Sequence, residues 1–86
     1  MGDYPLEIKV VDIMGQGTCH EGLKVGDIFS SDRELAQACP WAAYILLPLT
    51  TALRFGGDVP WEQEPGLARA CCMDAANPVV FEVRRV

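Results

Sequence analysis

A long run without a charged side chain, from Leu35 to Leu53, constrains the fold of this chain more than any other feature of its sequence. Its length is close to the ~20 residues that a helix needs to cross a bilayer. Two prolines, Pro40 and Pro48, interrupt the run, and a proline inside a helix removes a hydrogen bond and kinks or breaks the helix. We therefore predict two short buried helices in this region and no membrane span.

The boundaries of the two helices follow from residues that start and stop helices. The first helix is predicted over residues 33–38, after a Ser-Ser-Asp stretch that can cap it. The second is predicted to begin at Pro40, which suits a first helical turn, with Cys39 as its N-cap. Residues 41–47 are apolar on every side, which predicts burial. Pro48 is expected either to kink this helix or to restart it before two glycines end it.

Alternating apolar and polar residues predict strands at both ends of the chain, over residues 4–13 and 79–86. Two less regular stretches, residues 24–29 and 67–72, complete the order β-β-α-α-β-β. This order predicts an α+β fold, a small antiparallel sheet of three to four strands with the two short buried helices on one face. Four charged residues are expected to form a cross-strand ladder on the other face: Glu7, Lys9, Glu82 and Arg84.

Size and charge exclude several classes of protein. Eighty-six residues predict a single domain, residues 1–86. The formal net charge of −5 argues against binding of nucleic acid or of anionic membranes. Residues 1–5 contain neither a basic nor an apolar signal region, so we predict a cytoplasmic protein. In that compartment cysteines are usually thiols, metal ligands or catalysts and not disulfides.

Four cysteines beside a single histidine are the pattern that most suggests chemistry. Cys19, Cys39 and Cys72 fall in loops or at element ends, and thiolates are soft ligands that suit zinc, copper(I) or an iron–sulfur cluster. With His20, or with an external ligand, they would complete a tetrahedral site. Cys71 precedes Cys72 in a predicted strand and is therefore expected to face away. Because the chain has no C-x2-C pair, burial of the cysteines as small apolar residues is the alternative.

Six short motifs follow one another along nearly the whole chain: Lys24–Asp27 (KVGD), Cys39-Pro40, Leu53–Gly57 (LRFGG), Pro60-Trp61, Cys72-x-Asp74 and Asn77–Glu82 (NPVVFE). Together they resemble a family of small bacterial and archaeal repeat-type proteins of uncharacterised function, whose members sometimes carry the unit in tandem. The resemblance implies an association with anaerobic redox metabolism, and Cys19, Cys39 and Cys72 match cysteines of the family pattern. The chain departs from that pattern at Leu23, where members often have histidine, and at Met73, where they often have proline.

Five residues are candidates for further roles. The positive end of a helix dipole can lower the pKa of a thiol, which would make Cys39 a nucleophile or a redox thiol. The alternative is that Cys39 only caps the helix. Asp27 and Asp74 form a candidate carboxylate pair, with Asp27 alternatively a turn residue. Arg54 is expected to bind an anion, to pair with one of these acids, or to interact with the helix dipole. Trp61 is expected to cover the core and to contact another subunit.

These observations lead to three functional hypotheses. The first is a cysteine-ligated zinc or iron–sulfur module that serves as an accessory to a redox enzyme. The second is a homo-oligomeric interaction module without a cofactor, and the third is a small thiol enzyme that uses Cys39. The chain contains no phosphate-binding loop, dinucleotide fingerprint or Ser-His-Asp set. A single histidine argues against a self-contained hydrolase, so the sequence leaves open whether the protein is an enzyme.

Overall fold

The computed structural model describes residues 3–86. Met1 and Gly2 lie outside the described residues. They belong to residues 1–5, on which the prediction of no signal peptide is based. The element order is β-β-α-α-β-β, as predicted. The elements are β1 (Leu6–Ile13), β2 (Ile28–Phe29), α1 (Asp32–Ala38), α2 (Pro40–Arg54), β3 (Leu67–Cys71) and β4 (Val79–Arg85).

The four strands form one antiparallel sheet in the order β2-β1-β4-β3. The terminal strands β1 and β4 are neighbours in its centre, and their register places Ile8 opposite Val83 and Val10 opposite Phe81. These four side chains are fully buried. Since side chains alternate between the faces of a strand, one face of the sheet packs against the helices, which confirms the predicted α+β fold.

The other face carries the four charged residues predicted for it. Glu7 lies opposite Arg84, and Lys9 lies opposite Glu82. The guanidinium of Arg84, however, binds the carboxylates of Glu64 and Glu82 and not the residue opposite it. The alternation in sequence therefore predicts which residues share this face, but the ion pairs of Arg84 lie within β4 and with the loop before β3 and do not form the expected cross-strand ladder.

Helix caps form where the sequence predicts them. The Ser31 hydroxyl accepts a hydrogen bond from the Glu34 backbone N–H at 3.1 Å and caps α1. The Cys39 sulfur accepts one from the Ala42 N–H at 3.4 Å and caps α2. Both contacts supply acceptors for N–H groups that have no partner within the first turn of a helix.

Helix α2 continues through Pro48 as one helix from Pro40 to Arg54, so the restart of a new helix, one of the two outcomes predicted at this proline, does not occur. The predicted burial on every side is wrong, because the sheet and α1 cover only one side of α2. The buried residues are Ala42, Ala43, Leu46, Thr50 and Leu53. Among residues 3–86, no helix is both long enough and apolar enough to cross a membrane.

Candidate functional site

Three cysteines that are far apart in the sequence line one cleft of about 350 Å³. Cys19 lies in the loop between β1 and β2, Cys39 caps α2, and Cys72 directly follows β3. His20 and Asp74 line the same cleft. The fold therefore brings together all four predicted metal-site residues and one of the two predicted acids.

Contacts between two loops build one wall of the cleft. The Met14 N–H donates to the Pro78 carbonyl at 2.8 Å, and the Gln16 N–H donates to the Asn77 side-chain oxygen at 2.8 Å. Gly15 lies between these contacts with a φ of 69°, and a Cβ there would overlap the backbone carbonyl of Ala76. Only glycine fits this close approach without strain, so the loop that leads to Cys19 is fixed against the loop that follows Cys72.

Cys39 is the most buried of the cleft thiols, with 6% of its surface exposed. Burial, the largest effect, raises the pKa of this thiol, and the neighbouring Cys19 side chain and the negative charge of Glu21 raise it further, against the lowering effect of the N–H donors of Ala42 and Trp41. The lowered pKa predicted for this helix N-cap is therefore wrong. The helix does supply hydrogen bonds to the sulfur, but desolvation of the thiolate outweighs them.

Cys72 is held by the strand that follows it in the sheet. Its backbone N–H donates to the Val79 carbonyl at 2.9 Å, and its sulfur accepts from the Val79 N–H at 3.3 Å. Cys72 packs against the core, whereas Cys71 is exposed. The prediction that these adjacent cysteines face opposite ways is confirmed, and only one of them belongs to the cleft.

His20 lies at the solvent rim of the cleft. Its side chain is 82% exposed, and its Nε2 is 3.7 Å from the Asp74 carboxylate. The other oxygen of Asp74 accepts the backbone N–H groups of Ala76 and Asn77 at 3.0 and 3.3 Å. Asp74 is thus a turn residue that also faces the histidine, and its orientation is fixed by the turn.

The three thiols of the cleft form no disulfide. All four cysteines are free. Within the described part of the chain, no three histidine, cysteine or acidic side chains are already grouped closely enough to hold a metal ion. The arrangement is therefore a shared cleft and not a preformed ligand set.

Three predicted site residues lie elsewhere. The Asp27 carboxylate accepts the Lys24 N–H at 2.9 Å, so its turn alternative is the observed one, and Asp27 does not line the cleft that contains Asp74. Arg54 pairs with Asp32 at 2.5 Å and not with Asp27 or Asp74, because α1 places that acid beside the end of α2. Trp61 is 66% exposed, so it does not cover the core.

The cleft also contains residues that the sequence analysis did not assign to it, among them Trp41, Met73 and Asn77. Two of them directly neighbour a predicted thiol segment, since Trp41 follows Cys39-Pro40 and Met73 follows Cys72. That proximity is the signal from which they could have been found. Asn77 helps to form the cleft wall through its contact with Gln16, which is 61 positions away in sequence. No feature of the neighbouring sequence predicts this contact.

Fold and site together define a small α+β protein with a four-stranded antiparallel sheet and a thiol-lined cleft at the start of its longer helix. No protein-family model, no curated protein and no solved structure matches this chain. The family resemblance of its motifs stays a prediction.

Proposed function

We propose that this protein binds one thiophilic metal centre, zinc or an iron–sulfur cluster, through Cys19, Cys39 and Cys72. The observation that carries the proposal is the lining of the cleft, to which three separate segments each contribute one thiol. Thiolates are the preferred protein ligands of both kinds of centre. Random burial of small apolar residues would not require three of four cysteines to share one cleft while the fourth faces solvent.

The electrostatics of the cleft favour a cation. Two of the sulfurs, those of Cys39 and Cys72, accept backbone N–H groups, and such hydrogen bonds stabilise a thiolate. The negative charge of Glu21 opposes ionisation of Cys39. A bound cation would remove this opposition, because metal binding releases the thiol proton and neutralises the resulting charge.

Metal binding would require a rearrangement of part of the loop between β1 and β2, namely residues 17–22, because residues 14–16 are anchored to the loop that follows Cys72. Near Cys19 the backbone hydrogen bonds of this loop are short-range, such as Gly17 N–H to Met14 and Gly22 N–H to the Cys19 carbonyl. A loop held by local contacts moves at low cost in free energy. Cys39 and Cys72, by contrast, are fixed by a helix cap and by the sheet. We therefore infer that Cys19 approaches the two fixed sulfurs when metal binds.

The fourth ligand distinguishes the two centres. Structural zinc takes four ligands in a tetrahedron, and His20 at the rim is the chain's own candidate. A four-iron cluster held by three cysteines would instead leave one iron open to an external ligand. The partner redox enzyme expected from the family resemblance stays a prediction.

Elemental analysis of protein purified without air or chelators tests the proposal. We expect close to one zinc, or one iron–sulfur cluster, per chain in the wild type. Substitution of Cys19, Cys39 or Cys72 by serine should abolish stoichiometric binding. Cys71→Ser is the matched control, because that thiol is exposed and directly adjacent to a proposed ligand, and it should bind as the wild type does.

Two results would contradict the proposal. One is wild-type protein that contains neither metal and takes up neither Zn²⁺ nor iron and sulfide on reconstitution. The other is equal loss of metal in Cys71→Ser and Cys72→Ser. The thiol-enzyme hypothesis receives less support, since a buried thiol with a raised pKa is a weak nucleophile at neutral pH.

A further inference from the structure

We propose that Asp74 is a positioning residue that orients His20 as the fourth ligand of the metal centre, which makes that centre a closed zinc site and not an open iron–sulfur cluster. In this arrangement the Nε2–H of His20 donates to the Asp74 carboxylate, and Nδ1 binds the metal. The inference rests on the proposed function, since it requires the three thiols of the cleft to bind the same metal.

The two oxygens of the Asp74 carboxylate have different partners. Oδ1 accepts the backbone N–H groups of Ala76 and Asn77 at 3.0 and 3.3 Å. Oδ2 lies 3.7 Å from the Nε2 of His20. Because the turn binds one oxygen, the carboxylate is held with its other oxygen towards the imidazole.

The position of Asp74 is also fixed relative to the loop that carries His20. Asn77, which donates to Asp74, accepts the Gln16 N–H at 2.8 Å through its side-chain oxygen. Gln16 belongs to the anchored part of the loop between β1 and β2. Asp74 is therefore a fixed acceptor beside residues 17–22, the segment that we expect to rearrange when metal binds.

The distance between His20 and Asp74 is slightly longer than a hydrogen bond. An N–H···O bond extends to about 3.2 Å, so the imidazole must move by roughly 0.5 Å to form one. The side chain of His20 is 82% exposed and can make this movement without disturbing the core. An exposed ion pair stabilises a fold little, because water and salt screen it. Stability of the fold alone therefore does not account for the contact.

The carboxylate determines which nitrogen of His20 can bind a metal. A neutral imidazole has one N–H donor and one acceptor nitrogen. An acceptor at Nε2 holds the proton there and leaves the lone pair of Nδ1 for a metal, which is the usual role of a carboxylate behind a metal-binding histidine. Three thiolates and one imidazole fill the tetrahedron of a structural zinc site, so no position stays open for an external ligand.

Asp74→Asn reverses the hydrogen bond to His20 and leaves the turn in place. The side-chain oxygen of asparagine can still accept the N–H groups of Ala76 and Asn77, whereas its NH₂ group faces Nε2 as a donor. The imidazole proton then lies on Nδ1, which cannot bind a metal in that state. We expect this substitution to weaken metal binding by about 10–100-fold, the usual effect of losing such an outer partner.

Titration of the metal-free full chain with Co²⁺, under reducing conditions and without oxygen, measures this effect. Co²⁺ occupies tetrahedral zinc sites, and its visible absorption bands depend on how many sulfur and nitrogen atoms bind it. We expect Asp74→Asn and His20→Ala to weaken binding and to shift these bands in the same direction, because both remove the imidazole from the metal. Circular dichroism verifies that each variant is folded.

Two comparisons separate positioning of His20 from a merely structural role. Asp27→Asn is the matched control, because Asp27 is also a turn carboxylate, accepts the Lys24 N–H at 2.9 Å and lies outside the cleft. It should bind Co²⁺ as the wild type does. In the His20→Ala background, Asp74→Asn should weaken binding no further, since no imidazole is left to orient. A structural role would weaken binding equally in both backgrounds.

Several outcomes would overturn the inference. If His20→Ala binds Co²⁺ with the affinity and spectrum of the wild type while Cys72→Ser does not bind, the thiol site stands and the role of the histidine is refuted. A loss in Asp74→Asn that persists in the His20→Ala background would show that Asp74 acts through another group. Wild type that carries an iron–sulfur cluster and no zinc would refute the closed zinc site alone, whereas wild type that binds no metal would refute the proposed function as well.

Discussion

Cys39 illustrates at the scale of one residue how two effects of a helix N-terminus compete. The helix donates N–H groups to the sulfur, but packing against the core removes the water that would solvate a thiolate. Desolvation is the larger effect, so the pKa of the thiol is raised and not lowered. Without metal, Cys39 is therefore expected to behave as a protonated thiol at neutral pH.

Alkylation by iodoacetamide, resolved by site with mass spectrometry, measures this behaviour. We expect metal-free Cys39 to react more slowly at pH 7 than glutathione, because a raised pKa lowers the fraction of reactive thiolate. The alkylation rate of Cys39 should still increase with pH above about 8.5, the pKa of a free thiol, because the pKa of Cys39 is higher. The rate for a free thiol levels off there, since most of it is already thiolate. Cys71, which is exposed, provides an internal check on the reagent. A Cys39 rate above that of glutathione at pH 7 would contradict the expected thiol state.

At the scale of elements, β4 and the end of α2 are joined by one side chain, Arg85. Its Nη1 donates to the carbonyls of Leu53 and Gly57 at 3.1 and 2.5 Å. Its Nη2 donates to the Asp58 carboxylate at 2.8 Å, which also accepts the Gly66 N–H at 2.7 Å. The Gly66 N–H first, and Arg85 second, lower the pKa of Asp58. This network fixes the loop between α2 and β3.

We expect Arg85→Ala to lower the free energy of unfolding by about 1.5–3 kcal/mol, the range for hydrogen bonds to charged groups whose partners lose their donors. Arg84→Ala is the matched control one position away, on the other face of β4, where the ion pairs with Glu64 and Glu82 are more exposed. Exposed ion pairs stabilise a fold little, because water and salt screen them, so we expect a smaller loss from Arg84→Ala. Urea unfolding measures both. Equal losses in the two variants would show that the Arg85 network does not stabilise the loop.

At the scale of the whole molecule, the small core makes bound ligands important for stability. A chain of this length buries only about 60–65% of its unfolded surface, so a metal centre would supplement the core. At a metal concentration 100-fold above the dissociation constant, binding stabilises the folded state by about 2.7 kcal/mol.

We therefore expect saturating metal to raise the midpoint of thermal unfolding by roughly 10–20 °C, since 1 kcal/mol shifts the midpoint of so small a domain by about 4–8 °C. A chelator should reverse the increase. Scanning calorimetry of Cys71→Ser should give the same shift as the wild type, while Cys72→Ser should give none. A shift that persists in Cys72→Ser would show that the metal binds outside the cleft.

Local patterns determined much of the fold. The alternation in β1 and β4 predicted which side chains are buried, because the faces of a strand depend only on neighbouring residues. The caps at Ser31 and Cys39 were predictable for the same reason, since a cap contacts N–H groups three residues away. Positions at element ends also single out Cys19, Cys39 and Cys72, which line one cleft, while the metal site expected from them stays a prediction.

Only the tertiary structure decided which side of α2 remains exposed, which acid pairs with Arg54, and that Cys39 is a buried thiol with a raised pKa. Each of these depends on segments far apart in sequence that the sheet brings together. The charge-free run of 35–53 determined by itself that helices form there and that they are apolar. It did not determine their burial, because one sheet face and one short helix cover only one side of α2. How much of a helix is buried depends on the size of the elements packed against it and not on its own composition.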